Sequence, residues 1–156
     1  MLNEFGLPQQ LIKADVSLDV LHQGCYYSNS AEVCFRASWV LEFIALQEPI
    51  EIIPVFNDFF KRLARQNNPS CHHCFTKMIR FITPPKPPSP YQHAFKRIDK
   101  SSLVTTWLID EQTPVATRVN FLDVLYNLRH EFDWVADEFK GSNRIFPAKR
   151  LCSPPK

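Results

Sequence analysis

The sequence predicts an all-α protein: a short α-solenoid of stacked helix pairs that occupies residues 1–156 as a single domain. Three observations predict this class. Apolar residues recur at helical spacing, only 3 glycines occur against 13 prolines, and one apolar motif recurs along the chain. A chain of 156 residues is long enough to bury one continuous core.

The first two predicted helices flank the turn GCYYSNS at 24–30. One helix covers 9–23 and the next covers 31–46. Ser30 favours a helix start at residue 31 because its hydroxyl can cap the helix. Glu32 in the first turn also favours this start, because a negative charge is stabilised at a helix N-terminus. The apolar positions that give this helix the spacing of a buried stripe are Val33, Ala37, Val40, Leu41 and Ile44.

Prolines bound the remaining predicted helices. A third helix covers 50–65 after Pro49, and QNNPS separates it from a fourth over 71–82. The segment TPPKPPSP at 83–90 predicts a polyproline-type connection. The other predicted segments are helices over 92–109, 114–129 and 132–139, and a frayed tail over 141–156.

One apolar motif appears three times. VCFRASWVLEFI at 33–44 aligns with VATRVNFLDVLY at 115–126, an offset of 82 residues, and CHHCFTKMIRFI at 71–82 lies near the midpoint. Repeats of ~40–47 residues made of helix pairs are typical of HEAT and armadillo stacking. The motif therefore predicts a right-handed solenoid. Its approximate repeats are 9–66, 69–109 and 114–140.

Four stretches in order carry a family resemblance: FRASWVLEFI, PIEIIPVFNDFFKRL, TTWLIDEQTPVATRVNFLDVLYNL and EFDWV. Together they resemble a family of small bacterial HEAT-like repeat proteins of unknown function, over about residues 30–140. The resemblance implies a HEAT-like helical-repeat fold. Some members of that family are labelled adenylosuccinate lyase, but the glycine- and methionine-containing signature loop of that enzyme has no match in this sequence.

Charge is divided unevenly along the chain. Residues 1–60 carry a net charge of −6, residues 61–100 carry +8, and residues 101–140 carry −4. We expect the basic segment to form an anion- or partner-binding surface. The alternative is a solvated face balanced by the acidic flanks. The predicted binding residues are Lys61, Arg62, Arg65, Lys77, Arg80, Lys96, Arg97 and Lys100.

Arg36 and Arg118 occupy equivalent positions of the repeated motif. We expect a structural role for both, because an arginine fork can satisfy several acceptors in neighbouring turns. Candidate partners include Asp58 and Asp110. An anion clamp made by the two arginines is the alternative.

The cluster Cys71-His72-His73-Cys74 has the ligand spacing of half a zinc site. A structural zinc site needs four ligands, and the sequence offers no second pair at suitable spacing. We therefore expect no metal and no cofactor, with Cys71 and Cys74 acting as small buried residues. The residues that would have to complete a metal site are Cys34, His22, Cys25 and His93.

The sequence lacks glycine-rich phosphate loops and a nucleophile elbow. We therefore predict a non-catalytic protein-interaction or scaffold module whose partner is another protein. The alternative is a HEAT-like nucleic-acid-binding protein or DNA-repair-type enzyme, with Trp107 and Asp110 beside the basic segment. No apolar run approaches the ~20 residues that span a bilayer. The five cysteines and the absence of a secretion signal favour a reducing cytoplasm.

Overall fold

The computed structural model describes residues 16–27, 29–98 and 113–141, and every regular element in these ranges is helical. The all-α class is therefore confirmed. The helices are α1 (Leu18–Tyr27), α2 (Ala31–Gln47), α3 (Pro49–Ile52), α4 (Phe56–Arg62), α5 (Pro69–Ile82), α6 (Ser89–Lys96), α7 (Val115–Leu128) and α8 (Asp133–Gly141). None of the described helices combines the length and the apolar character needed to cross a bilayer.

The predicted end of the first helix is wrong. Helix α1 continues past Gln23 to Tyr27, and the part of the prediction before residue 16 lies outside the described residues. The extension follows from tertiary packing: Cys25 is fully buried, and Gly24 lies against Ala37 of α2. Packing against a neighbouring helix outweighs the low helix propensity of a single glycine.

Helix α2 begins as predicted. The Ser30 hydroxyl accepts a hydrogen bond from the Val33 backbone N–H at 3.4 Å. Val40, Leu41 and Ile44 of the predicted stripe are buried, but Val33 is half exposed in the first turn.

The single helix predicted over 50–65 is wrong, because the segment is broken. Helix α3 ends at Ile52, and 3₁₀ turns at Ile53–Val55 and Leu63–Arg65 flank α4. Pro54 explains the first break, since it has no N–H and its ring clashes with the preceding turn. Beyond the break, α4 buries its three phenylalanines: Phe56, Phe59 and Phe60.

The helix predicted over 92–109 also differs. Helix α6 starts earlier, at Ser89, because Pro90 is accommodated in its first turn. It ends at Lys96, and the prediction beyond residue 98 lies outside the described residues. Helices α7 and α8 match their predictions to within two residues.

Helices α2, α5 and α7 lie side by side and run parallel. Between α2 and α5, the Asn68 side-chain amide donates to the Ala31 carbonyl at 3.0 Å, and Lys77 pairs with Glu42. Residue numbers rise together on the two helices, so both point the same way. Each copy of the repeated motif lies on one of these three helices.

Helices α5 and α7 are also parallel, because residue numbers rise together along the contacts between them. Asn120 bonds Thr76, and Asn127 bonds Thr83, both over 44 residues of sequence. Arg80 pairs with Asp123 between them.

Aromatic side chains fill the space between this row and helices α1, α4 and α6. Phe59 meets Phe75 edge-on at 4.9 Å, and Phe56 stacks on Tyr91 at 5.4 Å. The Tyr91 hydroxyl donates to the Ala45 carbonyl at 2.7 Å and ties α6 to α2. This packing leaves the opposite side of α2 and α5 open.

Candidate partner-binding groove

An open groove of about 710 Å³ runs between α2, α5 and the proline-rich connection. Helix α2 contributes Glu42 and Leu46. The remaining lining residues are Lys77, Arg80 and Phe81 from α5, and Pro84, Lys86, Pro87 and Pro88 from the connection. Three cations and one carboxylate therefore stand among mainly apolar groups.

The one carboxylate in the groove already forms an ion pair within the chain. Glu42 Oε1 lies 3.0 Å from Lys77 Nζ, and only 10% of the Glu42 side chain is exposed. Burial raises the pKa of the neighbouring Cys74 thiol, and the Glu42 carboxylate adds to this shift. Lys77 is thus both a lining residue and the counter-ion of a buried acid.

Arg80 and Lys86 face different electrostatic surroundings. Arg80 Nε lies 2.9 Å from Asp123 Oδ2 of α7, and its side chain is 55% exposed. Lys86 is exposed in the proline-rich connection. It forms no ion pair within the part of the chain that the structure describes. Lys86 therefore contributes the least compensated positive charge in the groove.

The structure brings only two of the predicted binding residues into this groove, namely Lys77 and Arg80. Arg62 instead pairs with Asp58 at 2.7 Å and lies over the Tyr27 ring at 5.5 Å. Lys100 lies outside the described residues. The others are exposed residues that do not line the groove: Lys61, Arg65, Lys96 and Arg97.

The prediction did not include Lys86, Leu46 or Phe81 among the binding residues. Lys86 belongs to the basic segment but interrupts a run of prolines, a position that sequence alone assigns to a connection. Leu46 and Phe81 follow the apolar helical pattern, which does not distinguish a groove wall from a core contact.

Arg36 does not pair with Asp58, one of its candidate partners. Arg36 pairs with Glu32 one turn earlier, and both side chains are about two-thirds exposed. Asp58 pairs with Arg62 instead because Arg62 lies on the same helix, four residues away. Arg118 is half-buried, and Asp110 lies outside the described residues.

The Cys-His cluster lies at the start of α5. Cys71 and Cys74 are buried, and a ring nitrogen of the buried His72 contacts the Gln66 carbonyl. His73 is half-buried. Burial raises the pKa of both thiols, so they are protonated at neutral pH.

Cys25 and Cys71 both lie near Ser38, and the Cys34 and Cys71 thiols are close enough to Cys25 to influence its pKa. Burial raises the pKa of Cys25 to about 12. Among the described residues, no group of three or more Cys, His, Asp or Glu side chains is arranged to hold a metal ion.

Comparison of the chain with protein-family models, with curated proteins and with solved structures finds no match.

Proposed function

We propose that this chain is a non-catalytic protein-interaction module, a short HEAT-like solenoid that binds an acidic segment of a partner protein in the α2–α5 groove. The observation that carries the proposal is the composition of the groove. Lys77, Arg80 and Lys86 outnumber Glu42 there, and the walls between them are apolar.

The order of the helices supports the solenoid part of the proposal. In stacked helical repeats, equivalent helices of successive repeats lie beside one another. The three motif copies lie on α2, α5 and α7, which are adjacent and parallel. The contacts between them join residues 35 to 44 positions apart, a range that includes half the 82-residue motif offset.

The surroundings of the groove favour a segment that carries both acidic and apolar side chains. Leu46 and Phe81 offer apolar contact next to the cations. Phe35 is 39% exposed, and Trp39 is half-buried. Both share a helix face with Glu42 and Leu46, because 35, 39, 42 and 46 follow helical spacing. This surface therefore extends along α2 for about three turns.

Nucleic acid is the competing ligand. Lys61, Arg65, Lys96 and Arg97 are exposed and would be its natural contacts, since phosphate binding needs cations and no apolar wall. Trp107 and Asp110, which a repair-type enzyme would use, lie outside the described residues. The apolar groove walls favour the protein partner.

The test selects peptides from a random twelve-residue phage library on the wild-type chain and measures each Kd by fluorescence anisotropy. We expect selected peptides to combine Asp or Glu with apolar residues. Lys86→Glu should raise Kd at least ~10-fold, because it reverses a charge facing an acidic ligand. The matched control Lys61→Glu, an exposed lysine outside the groove, should change Kd less than ~2-fold.

Two results would count against the proposal. One is a selected set without acidic enrichment, or equal effects of Lys86→Glu and Lys61→Glu. The other is displacement of the peptides by single-stranded DNA with a steep salt dependence, which would favour nucleic acid instead.

A further inference from the structure

Two helix surfaces expose apolar residues with the same sequence spacing. Val16, Val20 and Tyr27 follow the pattern V-x₃-V-x₆-Y at the first described helix, and Val115, Val119 and Tyr126 repeat it on α7. These six side chains are 42% to 67% exposed, and they make up six of the ten large hydrophobic side chains exposed by the described residues. Exposed apolar residues that align on a helix mark an interaction surface.

On α7 the exposed residues form one stripe. Val115, Val119, Leu122 and Tyr126 stand at i, i+4, i+7 and i+11, so they share a face about 16 Å long. The opposite side of α7 is buried in the core at Val124. This α7 stripe therefore faces away from the row α2–α5–α7.

On α1 the exposed residues also face outward. Val20 and Tyr27 lie two turns apart, and Val16 precedes the helix. The opposite side of α1 is fully buried at His22 and Cys25. The α1 stripe, defined by these three exposed residues, therefore faces solvent, and Tyr27 also contacts Arg62 of α4.

The two stripes carry opposite charges at their edges. Asp19 precedes Val20 directly, whereas Arg118 precedes Val119 directly. Arg129 lies 3.9 Å over the Tyr126 ring, and helical spacing places it on the same flank as Arg118. The α7 stripe thus has a basic edge.

The α1 stripe also has a cation beside it, because Arg62 lies over the Tyr27 ring. Arg62 pairs with Asp58 at 2.7 Å, which compensates its charge. Asp19 therefore gives the α1 stripe an acidic edge.

We propose that the α7 stripe of one copy of this chain packs on the α1 stripe of a second copy. Equal apolar spacing lets the two stripes cover each other. Charge selects the pairing, because α7 on α7 would oppose arginines, and α1 on α1 would oppose aspartates. Such a contact is head-to-tail. A dimer therefore keeps one unused α1 stripe and one unused α7 stripe, and further copies can add to form rings or chains.

The test measures the mass of the full chain by sedimentation over a range of concentrations. We expect the mass to rise above the 18.2 kDa of one chain as concentration increases. Val20→Glu and Val119→Glu should each weaken association at least ~10-fold, because each variant buries a carboxylate among apolar groups. Val33→Glu, at an exposed valine outside both stripes, is the matched control and should leave association unchanged.

Mixing the two variants gives the sharpest result. The Val20→Glu chain keeps its α7 stripe, and the Val119→Glu chain keeps its α1 stripe. An equimolar mixture should therefore stop at a one-to-one dimer with twice the mass of the chain. No symmetrical α1–α1 or α7–α7 contact produces that behaviour.

Charge variants provide a second experiment if circular dichroism shows that a valine variant is not folded. Asp19→Arg alone and the double variant Arg118→Glu/Arg129→Glu should each associate weakly, whereas their mixture should associate as well as wild type.

A wild-type mass that stays at one chain throughout would overturn the proposal and leave the stripes to another occupant. Mixtures that associate no better than their components would do the same. Neither result affects the groove, because none of the substituted residues lines it.

Discussion

Glu42 and His22 are polar side chains in largely apolar surroundings, and they differ in their polar partners. Glu42 Oε1 lies 3.0 Å from Lys77 Nζ. His22 is fully buried between Tyr26 and Phe59, and neither of its ring nitrogens completes a hydrogen bond in the described structure. Asp58 Oδ2 approaches the His22 Nδ1 atom only to 3.5 Å. A buried charge without a partner costs far more free energy than a buried neutral imidazole without one.

Replacing Lys77 should lower the free energy of unfolding, because it removes the ion-pair partner of the buried Glu42. Lys77→Met leaves the Glu42 carboxylate unpaired and should lower the free energy of unfolding by about 1–3 kcal/mol at pH 7. The double variant Glu42→Gln/Lys77→Met should lose less unfolding free energy than Lys77→Met alone, since it has no carboxylate at position 42. Urea unfolding measures both, with Lys61→Met as the control. If the double variant were the less stable of the two, Glu42 would not be the cause.

His22 should make stability depend on pH. Burial lowers its pKa below 6.5; Asp58 and Asp19 oppose the shift, and Arg62 adds to it. Below pH 6.5 the unfolded chain binds the proton before the folded chain does. Stability should therefore fall as pH drops through 6.5 and level off below the folded pKa, with a slope of at most about 1.4 kcal/mol per pH unit.

Urea unfolding at pH 7.5, 6.5 and 5.5 tests this pH dependence. His22→Leu should flatten the slope in this range, whereas the exposed His93→Gln should leave it nearly unchanged. An equal slope in wild type and His22→Leu would assign the pH dependence to other groups.

At the scale of elements, Asn68 connects a helix start with the neighbouring helix. Its Oδ1 accepts a hydrogen bond from the Ser70 N–H at 3.0 Å and caps α5. Its Nδ2 donates to the Ala31 carbonyl at 3.0 Å, at the first residue of α2. One side chain thereby fixes both where α5 begins and where it meets α2.

Substitutions at Asn68 should separate these two contacts. Asn68→Ala removes both and should cost about 1–2 kcal/mol of unfolding free energy. Asn68→Asp keeps the capping oxygen but loses the donor to Ala31, so its cost should be smaller. The neighbouring Asn67 is exposed, and Asn67→Ala is the control in thermal and urea unfolding. Equal costs for the two Asn68 variants would mean that the cap contributes little.

At the scale of the whole molecule, the unevenly charged segments pair with one another. Glu42, from the acidic segment 1–60, pairs with Lys77 of the basic segment, and Asp123, from the acidic segment 101–140, pairs with Arg80. This pairing occurs because α5 lies between α2 and α7. Only part of the basic charge therefore remains for a partner.

The central position of α5 should show in hydrogen exchange. Helix α5 has neighbours on both sides and buries residues such as Phe75 and Ile79 completely, whereas α8 contacts α7 at one end of the row. Backbone amides of 71–82 should therefore exchange most slowly and those of 133–140 much faster. Mass spectrometry of exchanged peptides measures this directly. Equal protection in both segments would mean that the row opens as one unit.

Local features that depend on near neighbours in sequence were predictable. Ser30 caps α2, helix α7 lies within one residue of its predicted bounds, and the repeated motif falls on three similar helices. Each of these depends on hydrogen bonds and apolar spacing within a few turns. Pro54 carried the signal for the break between α3 and α4, but the apolar pattern around it favoured one continuous helix.

The sequence by itself determined the helical class, most helix starts and the division of charge, because backbone capping and helical periodicity act over short distances. Only the tertiary structure decided which charges meet. Lys77 is separated from Glu42 by 35 residues, and Lys86 joins the groove because the proline-rich connection passes beside α2. Side-chain energies at such contacts depend on which helices become neighbours, and packing of the whole chain sets that arrangement.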